Sequence, residues 1–451
     1  MKHTIIVGAG KSGLAVARHL FANGVPSVLT DSNPNPDKNL LSQLAEWEVQ
    51  GFWGSHPITL LDNANEVVLS PVINPNIPFV QEAIRRGIPV IGELELAHRV
   101  LRAKDPTAII LAITGTNGKS TTTDLTAHLL KSDGIPAIAC GNIGHTFLDA
   151  VNSAESGSRF VVECSSYQLE TVHSFRADGA TILNLTPDHL QRHGTMTAYL
   201  KAKLRIFERQ VQTDLSIIPS NADFQTPASP CSQMAKFGWH SIEGQGAWCD
   251  QEGNLLFRSA DEVITNLINR SELLIPGDHN VENSLVAILL ATHGGATVSA
   301  LRLGLRTYPG LRHRLAFCGE KDGIRAYNDS KGTNVEATLT AIHALNGPII
   351  LLLGGEDKGS SYCPLINALD GKLKQTIFLG DAIPMLVRDL GNLPHYICKD
   401  FDGAVARAFE LAIPGDQILL SPACASFDQF KNFEARGERF EYLVNEWIAS
   451  K

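Results

Sequence analysis

The chain has 451 residues, 44% of them hydrophobic and 19% charged, and a net charge of −9 with His counted as neutral. Because domains commonly hold roughly 100–200 residues, this length excludes a single core and predicts about three domains. The composition is that of a globular protein, and the negative charge argues against nonspecific binding to nucleic acid through overall charge.

The eight cysteines form no CxxC pair, so we expect buried free thiols in a reducing compartment. The apolar run at Thr4–Val7 is too short for a signal peptide. No apolar run approaches the roughly 20 residues that cross a bilayer. We therefore expect a cytoplasmic protein without membrane insertion.

The first predicted domain covers residues 1–98. A strand at Thr4–Val7 runs into a glycine turn and a helix at Leu14–Asn23, and a second strand follows at Val25–Thr30. Strands that alternate with helices indicate a parallel, doubly wound α/β sheet. The other elements predicted here are strands at Glu66–Leu69 and Ile88–Ile91 and a helix at Pro78–Arg86.

The turn after the first strand contains Gly8, Gly10 and Gly13, and Asp31 follows about 20 residues later. This spacing matches the dinucleotide-binding fingerprint and by itself favours an NAD- or FAD-dependent oxidoreductase. A glycine turn kept only for helix–strand packing is one alternative. Another is a site for the diphosphate of a UDP-linked substrate, which agrees better with the ATP loop predicted downstream.

The second predicted domain covers residues 99–310 and contains the strongest motif. A strand at Ala108–Ile113 leads into Gly115–Ser120, which a helix follows. Glycines there let backbone N–H groups surround phosphate oxygens, Lys119 adds charge, and Ser120 offers a hydroxyl to Mg²⁺. Ile113 stands where the usual P-loop has glycine, so this is a shortened variant of that loop.

Two further residues of this domain are candidate metal ligands. Glu163 ends a strand at Phe160–Glu163, where its carboxylate could reach a metal held by the phosphate loop; a surface or capping role is the alternative. His189 follows a strand at Thr181–Leu185 and is a candidate Mg²⁺ or Mn²⁺ ligand. Judged as a lone histidine, it is more often structural.

The rest of this domain has weaker signals. Lys201–Phe207 predicts an amphipathic helix with a solvated basic face, and residues 215–274 show little pattern. Asn280 and Asn283 share one helix face and could bind adenine or phosphate, whereas N-capping would account for only one of them.

The third predicted domain covers residues 311–451. Three polar clusters follow its strands, at Asn328–Asn334, Gly354–Lys358 and Ser421–Phe430, and such strand ends suit ligand binding in an open α/β sheet. Cys424 has no clear base partner and is interpreted as a packed thiol. The predicted strands are Arg325–Asn328, Ile349–Leu353, Thr376–Leu379 and Gln417–Leu420.

Together these stretches resemble the Mur ligase family. The ordered motifs are GTNGKST, ECSSYQLE, NLTPDHL, KAKLRIF, GDHNVEN, HR, NDSKGTN, LLLGGEDK and SPACASFDQFKNFEARG. SSYQLE and the last motif point to the D-glutamate-adding branch, and the DNPR-type motif of the lysine- and diaminopimelate-adding branches is missing. Folylpolyglutamate synthetase shares the shortened P-loop but lacks the N-terminal glycine-rich domain.

The resemblance implies an α/β fold of three domains: a Rossmann-like UDP-sugar domain, a central P-loop-type ATPase domain and a Rossmann-like C-terminal domain. It implies the substrates ATP, UDP-N-acetylmuramoyl-L-alanine and D-glutamate, with two Mg²⁺ ions or Mn²⁺ in their place. An acyl phosphate would form first, and the amine of D-glutamate would then displace phosphate. We expect a monomer.

The resemblance also implies roles for individual residues. Catalytic roles fall to Lys119, Glu163, His189 and Lys203. The metal ligands would be Ser120, Glu163, His189 and Lys203, the last as a carbamate. The ATP contacts would be Gly115, Thr116, Asn117, Gly118, Lys119, Ser120, Thr121, Asn280, Asn283, Arg314 and Asp329. The UDP-sugar contacts would be Lys11, Ser12, Asp31, Ser32, Ser70 and Asn142. The D-glutamate contacts would be Lys331, Thr333, Lys358, Ser426 and Phe433.

Two departures from the family pattern concern the UDP-sugar side: Val72 stands where glycine usually follows the proline, and Asn33 where some members have arginine.

Three rival functions remain. An NAD-dependent oxidoreductase would leave Lys119 and Ser120 without a role. A nucleotide sensor would need neither Glu163 nor the lysines of the third domain, and another Mur-type ligase would use a different amino acid.

Overall fold

The computed structural model describes residues 2–222, 224 and 232–450. They form an α/β fold in two compact units, one of residues up to 270 with 282–305, the other of residues 271–281 with those from 306 onward. The first unit holds a five-stranded and a nine-stranded sheet, and the second holds a six-stranded sheet. The domain boundaries expected near residues 98 and 310 stay predictions, and the first falls within the helix Glu93–Lys104.

The five-stranded sheet is parallel throughout and has the order β3-β2-β1-β4-β5. Its central strand is buried on both faces, with Ile5, Ile6 and Val7 fully inaccessible, which accounts for its continuous apolar run. The elements are β1 (His3–Val7), α1 (Lys11–Ala22), β2 (Ser27–Asp31), α2 (Lys38–Glu46), β3 (Gln50–Trp53), β4 (Ala64–Leu69), α3 (Pro78–Arg85), β5 (Val90–Gly92) and α4 (Glu93–Lys104).

The nine-stranded sheet has the order β14-β13-β12-β11-β10-β9-β6-β8-β7. Its phosphate-loop strand β6 lies between β8 and β9, so the loops after these three parallel strands emerge side by side. The elements of this half are β6 (Ile109–Thr114), α5 (Lys119–Lys131), β7 (Ala137–Gly141), α6 (Phe147–Ser153), β8 (Arg159–Glu163), α7 (Ser166–Leu169), β9 (Gly179–Ile182), α8 (Leu190–His193) and α9 (Met196–Leu204).

The weakly patterned stretch after residue 214 forms the other half of this sheet. Its strands have only four to six residues, and the last two pair antiparallel, which leaves each one little room for a periodic signal. The elements are β10 (Leu215–Pro219), β11 (Gln233–Gly238), β12 (Gly246–Cys249), β13 (Asn254–Arg258), β14 (Ile264–Asn269), α10 (Asp278–His293) and α11 (Val298–Thr307).

The six-stranded sheet of the second unit has the order β15-β16-β20-β17-β18-β19 and is parallel except for β15. The loops after β16, β20 and β17 therefore emerge next to one another. The elements are β15 (Ala316–Lys321), β16 (Ile324–Asn328), α12 (Val335–Ala344), β17 (Ile349–Gly354), α13 (Pro364–Leu369), β18 (Leu373–Leu379), α14 (Ile383–Leu390), β19 (His395–Ile397), α15 (Phe401–Leu411), β20 (Gln417–Leu420) and α16 (Phe433–Ala449).

Seven cysteines are free thiols, and Cys231 lies outside the described residues. The expectation that the cysteines are buried is wrong for Cys363, which is exposed, and right for Cys424, whose pKa is raised to about 11 by burial.

Among the described helices, none is long and apolar enough to cross a membrane.

Candidate active site

The glycine turn after β1 is closed by direct packing on the loop after β4. Gly8 has a φ of +100°, and a Cβ there would lie 2.8 Å from the Cβ of Ser70. A Cβ on Gly13 would lie 1.9 Å from the carbonyl oxygen of Gly8, so helix α1 approaches the turn as closely as its backbone allows. The Ser70 hydroxyl donates to the Gly8 carbonyl at 3.2 Å.

Asp31 at the end of β2 organises the same turn. One carboxylate oxygen accepts the backbone N–H of Ala9 at 2.7 Å, and the other accepts that of Asn33 at 2.8 Å. Each oxygen thus accepts a backbone N–H group. In the dinucleotide fingerprint, the acidic residue at this position binds a ribose. Of the other residues predicted for the UDP-sugar side, exposed Lys11, partly buried Ser12 and exposed Ser32 follow these strands at the same end of the sheet. Asn142 instead follows β7 of the nine-stranded sheet.

The phosphate loop after β6 is the shortened P-loop that the sequence predicts, with helix α5 beginning at Lys119. Gly118 has a φ of +84°, and a Cβ there would lie 2.4 Å from the Oδ1 atom of Asn283. The Lys119 ammonium donates to the carbonyl oxygens of Gly115 at 3.0 Å and Thr116 at 2.6 Å. The lysine is therefore folded back along its own loop.

Asn184, which the sequence analysis passed over, holds this loop from the neighbouring strand end. Its Oδ1 atom accepts the backbone N–H groups of Thr116 at 3.1 Å and Asn117 at 2.9 Å, and its amide donates to the Asn117 carbonyl at 3.1 Å. The predicted strand Thr181–Leu185 included Asn184, whereas β9 ends at Ile182, so no clear signal in the sequence showed that this amide lies beyond the strand end.

Asn283 supports the loop from helix α10. It is buried, and its Oδ1 atom accepts the hydroxyl of Thr122 at 3.1 Å. Ser120 is buried at the start of α5 and Thr121 is partly exposed. Asn283 thus contacts the loop that the sequence predicted to bind ATP.

Glu163 lies at the end of β8, in register with Ile113 of the phosphate strand. The Asn142 amide donates to its Oε1 atom at 2.9 Å. The Oε2 atom is buried, and no hydrogen-bond partner for it is found in the described part of the chain. An unsatisfied buried carboxylate oxygen beside a phosphate loop suits a cation, because Mg²⁺ prefers oxygen ligands.

Lys203 corrects an interpretation made from the residues alone. The basic face predicted for Lys201–Phe207 is solvated at Lys201, but Lys203 is only 1% exposed. Its ammonium donates to the Gly115 carbonyl at 2.8 Å and lies 4.4 Å from the centre of the Tyr199 ring. Burial, together with repulsion from Lys119, lowers the pKa of Lys203 to about 7.

His189 is exposed and lies on the wall of a surface pocket, next to Asp188, whose carboxylate is 3.4 Å from its Nε2 atom. Its ring centre lies 4.9 Å from that of Tyr167 and 6.3 Å from that of Tyr199. Tyr199 therefore contacts both His189 and Lys203, and its hydroxyl lies 3.3 Å from that of Thr116. Nothing in the sequence analysis had marked Tyr199.

Conventional metal ligands do not account for the predicted metal site. Within the described ranges, no group of three or more His, Cys, Asp and Glu side chains is placed to hold an ion. The oxygen donors beside the phosphate loop are Ser120 and Glu163, and a carbamate on Lys203 would add another. Ser120, Glu163 and a carbamylated Lys203 thus fit hard cations such as Mg²⁺.

In the second unit, Asp329 follows β16 and is buried. Its carboxylate accepts the Ser421 hydroxyl at 2.7 Å and the backbone N–H of Leu315 at 3.2 Å. Burial raises the pKa of Asp329 to about 7, although the hydrogen bond from Ser421 opposes the shift. Arg314, which contributes a weaker favourable charge, is partly exposed. Asn280, also of this unit, is buried and donates to the Pro276 carbonyl at 2.7 Å.

The residues predicted for D-glutamate surround the adjacent strand ends. Lys331 and Lys358 are both exposed. The Lys331 ammonium lies 5.2 Å from the centre of the Phe433 ring, and the Lys358 ammonium donates to the Thr333 hydroxyl at 3.4 Å. Two cations on the surface of one sheet edge would suit a small dicarboxylate.

Arg436 forms the base of this edge and was missed by the sequence analysis. It is 1% exposed, and its guanidinium donates to the Ser330 hydroxyl and carbonyl and to the carbonyls of Cys424 and Ala425, at 2.9 to 3.1 Å. It thereby joins the loop after β16 to the loop after β20, where Ser426 is buried. The available signal was its place on the buried stripe of α16 with Gly437, Phe440 and Val444.

Family models match three successive parts of the chain. Residues 2–92 match the Mur ligase MurD-like N-terminal domain, residues 113–291 the Mur ligase middle domain, and residues 313–424 the Mur ligase glutamate ligase domain.

Known proteins match over almost the full length. The chain is 36% identical to a UDP-N-acetylmuramoylalanine–D-glutamate ligase of Caldicellulosiruptor saccharolyticus over 99% of both proteins. It is 37% identical to the ligase of that name from Alkaliphilus metalliredigens over 98% of both. The MurF ligase of Thermotoga maritima, solved in complex with ADP, shares the fold with a TM-score of 0.58 at 15% identity, covering 93% of this chain and 95% of that one. This chain belongs to the Mur ligase family.

Proposed function

We propose that this protein is the ATP-dependent ligase that adds D-glutamate to UDP-N-acetylmuramoyl-L-alanine in the synthesis of peptidoglycan precursors. The observation that carries this function is the identity of 36–38% to ligases of that name, which extends over at least 98% of this chain. The scattered free thiols favour a cytoplasmic location for it. The chain acts as a monomer in this proposal.

The reaction joins a carboxylate to an amine at the expense of ATP. The alanine carboxylate attacks the γ-phosphorus of ATP, giving an acyl phosphate and ADP. The amine of D-glutamate then attacks the acyl carbon, and phosphate leaves from the tetrahedral intermediate. Because the transferred group is negatively charged and poorly reactive, the protein has to supply positive charge and alignment.

The loop Gly115–Thr121 binds the phosphates of ATP in this proposal. Lys119 leaves its carbonyl partners and neutralises the γ-phosphate, while Asn184 and Asn283 keep the loop in shape. Its remaining members are Thr116, Asn117, Gly118 and Ser120. Asn280, Arg314 and Asp329 contact ATP as the family resemblance implies.

Ser120, Glu163, His189 and the carbamate of Lys203 would hold two Mg²⁺ ions, or Mn²⁺ in their place. The unsatisfied Oε2 atom of Glu163 supports this assignment. When bound, the ions supply charge neutralisation for the phosphate oxygens. Asn142 holds the other oxygen of Glu163 and so fixes the orientation of the carboxylate.

Lys203 becomes a carbamate. The ammonium first loses one proton, the neutral amine adds to the carbon of CO₂, and a second proton leaves as the carbamate forms, so that a negative oxygen donor replaces the positive charge. The burial of Lys203 and its lowered pKa near 7 favour this step, because much of the amine is neutral at physiological pH.

D-Glutamate binds at the edge of the six-stranded sheet. Lys331 and Lys358 pair with its two carboxylates, and Thr333, Ser426 and Phe433 border it.

The UDP-sugar binds at the carboxyl edge of the five-stranded sheet, where its diphosphate contacts the glycine turn. The residues that face it are Lys11, Ser12, Asp31, Ser32, Ser70 and Asn142.

The oxidoreductase alternative leaves the buried residues Glu163 and Lys203 without a role. A nucleotide sensor would leave Lys331 and Lys358 without one.

Phosphate release from ATP tests the proposal. The purified chain receives ATP, Mg²⁺ and UDP-N-acetylmuramoyl-L-alanine, and D-glutamate, L-glutamate, L-lysine and diaminopimelate are added one at a time. Release with D-glutamate alone is expected. Release with another amino acid keeps the ligase and overturns the substrate, whereas no release with any of them returns the oxidoreductase and sensor to consideration.

A further inference from the structure

Arg192 contacts two parts of the first unit. One lies next to the proposed UDP-sugar site and the other next to the proposed metal ligands. Arg192 lies on α8, three residues after His189, and its side chain is 12% exposed. Its guanidinium donates to the carbonyl oxygens of Val72 at 3.3 Å and Ile73 at 2.9 Å, and to the Glu170 carboxylate at 2.7 Å. One side chain therefore binds two backbone carbonyls and one carboxylate.

The first of these partners belongs to the UDP-sugar side. Val72 and Ile73 lie in the loop after β4, which starts at Ser70. The glycine turn packs on this loop: a Cβ on Gly8 would lie 2.8 Å from the Cβ of Ser70 and in van der Waals contact, at 3.4 Å, with the Cγ1 atom of Ile73. A movement of the loop after β4 would therefore change the support of the turn that would receive the diphosphate.

The second set of partners belongs to the metal side. Glu170 directly follows the short helix α7, which begins three residues after Glu163. The Arg192 guanidinium lies 4.7 Å from the ring centre of Tyr167 on that helix, and the Tyr167 ring lies 4.9 Å from that of His189, tilted by 50°. Glu170 also pairs with His193 at 3.4 Å, so α7 and α8 are joined at two adjacent residues.

We propose that Arg192 is a positioning residue that couples the loop after β4 to the segment 187–193, so that binding of the UDP-sugar sets the position of His189. This inference rests on the proposed function. A planar guanidinium suits the role because its fork binds several acceptors in fixed directions, which the single ammonium of lysine does not reproduce. Without Arg192 the two carbonyls and Glu170 lose their common donor, and the two segments move independently.

Hydrogen exchange on the full chain tests the coupling without turnover. UDP-N-acetylmuramoyl-L-alanine is added alone, with neither nucleotide nor metal, and amide exchange is followed in peptides that cover residues 66–80 and 186–195. In the wild type, exchange is expected to slow in both peptides, by roughly fivefold or more. In Arg192→Ala it should slow only in residues 66–80, and Arg192→Lys should restore only part of the protection of residues 186–195.

The matched control is Arg209→Ala, which removes an exposed arginine of the same unit that donates to the His173 carbonyl at 2.9 Å. It should behave as the wild type in both peptides. A second readout is kinetic: in Arg192→Ala the KM for UDP-N-acetylmuramoyl-L-alanine and the Mg²⁺ requirement should rise together, while the KM for D-glutamate stays unchanged. If Arg192 had a purely structural role, Arg192→Ala would lower Tm but would not change the first two constants differently from the KM for D-glutamate.

Three results would contradict the coupling: equal protection of residues 186–195 in the wild type and Arg192→Ala, no protection there in the wild type, or wild-type behaviour of Arg192→Lys. Failure of the proposed function looks different. In that case the UDP-sugar protects neither peptide of the wild type, and the wild type releases no phosphate with D-glutamate.

Discussion

Two sheet edges of this molecule use the same topology for opposite arrangements of charge. In the nine-stranded sheet the loops after β8, β6 and β9 lie side by side, and in the six-stranded sheet those after β16, β20 and β17 do. At the first edge Lys203 is buried and Lys119 is folded back on its loop. At the second edge Lys331 and Lys358 are exposed, and the buried cation is Arg436.

The difference follows from what each edge has to do. Phosphoryl transfer needs charges that are in place when the γ-phosphorus is attacked, because reorganising them during the chemical step would raise the barrier. An amino acid that enters and leaves is served by exposed lysines, provided that the loops carrying them keep their shape. Arg436 meets that condition for Lys331, since it bonds to the loop after β16 that carries this lysine and to the neighbouring loop after β20. The buried lysine of the first edge thus has a chemical role, and the buried arginine of the second has a structural one.

The largest expected effect comes from removing the buried lysine of the first edge. Lys203→Ala deletes a metal ligand of the proposed site and should lower kcat by roughly a thousandfold, with no recovery on adding bicarbonate. Steady-state phosphate release measures it. Lys201→Ala is the matched control, because Lys201 is an exposed residue of the same helix and should keep near-normal turnover. Near-normal activity of Lys203→Ala would remove the carbamate from the mechanism.

Removing the buried arginine of the second edge should mainly affect stability. Arg436→Met leaves three carbonyls and the Ser330 hydroxyl without their donor, at a cost of about 3 kcal/mol or more. Tm should fall by roughly 10 °C, and D-glutamate saturation should weaken. The exposed Arg439 on the same helix pairs with Asp402, and Arg439→Met should leave both quantities nearly unchanged. An unchanged Tm in Arg436→Met would contradict the structural role.

The contrast between the edges also explains how far the sequence could predict them. Gly115–Ser120 and Glu163 were found because a glycine loop and a strand end are local patterns. The burial of Lys203 was not found, because the sequence of a helix that carries two lysines does not show which of them faces water and which faces protein. Arg436 was missed because its partner Ser330 lies 106 residues away. Local sequence patterns thus predicted which residues could bind ligands. The long-range contacts that hold those residues in place could be seen only in the structure.

A smaller effect, and one that depends on pH, is expected at Asp329. Its pKa in the folded chain is raised to about 7 from an unfolded value near 3.8, so the folded state holds the proton more tightly between these values. The stability contributed by the protonated acid is therefore present at acidic pH and lost as pH rises through 7. Asp329→Asn cannot ionise, so its Tm relative to the wild type should improve by a few degrees from pH 5 to pH 8.

Thermal unfolding at several pH values measures this difference. The control is Asp370→Asn, which replaces an exposed aspartate of the same unit and should shift relative to the wild type by the same amount at every pH. A constant difference for Asp329→Asn as well would mean that the buried carboxyl ionises as it does in water. Loss of activity in Asp329→Asn would be a separate finding that bears on ATP binding.

The smallest effect tests whether an exposed lysine of the second edge is oriented by its neighbours. The buried Tyr362 hydroxyl donates to the Asp357 carboxylate at 2.7 Å and lies 3.0 Å from the Cys424 sulfur. Asp357 precedes Lys358, so this hydroxyl fixes the side chain next to the lysine in the chain. Tyr362→Phe should raise the KM for D-glutamate by roughly threefold to tenfold, about 1 kcal/mol, with kcat unchanged. Tyr442→Phe, at an exposed tyrosine, should change neither constant; if Tyr362→Phe also changes neither, Lys358 binds D-glutamate without this support.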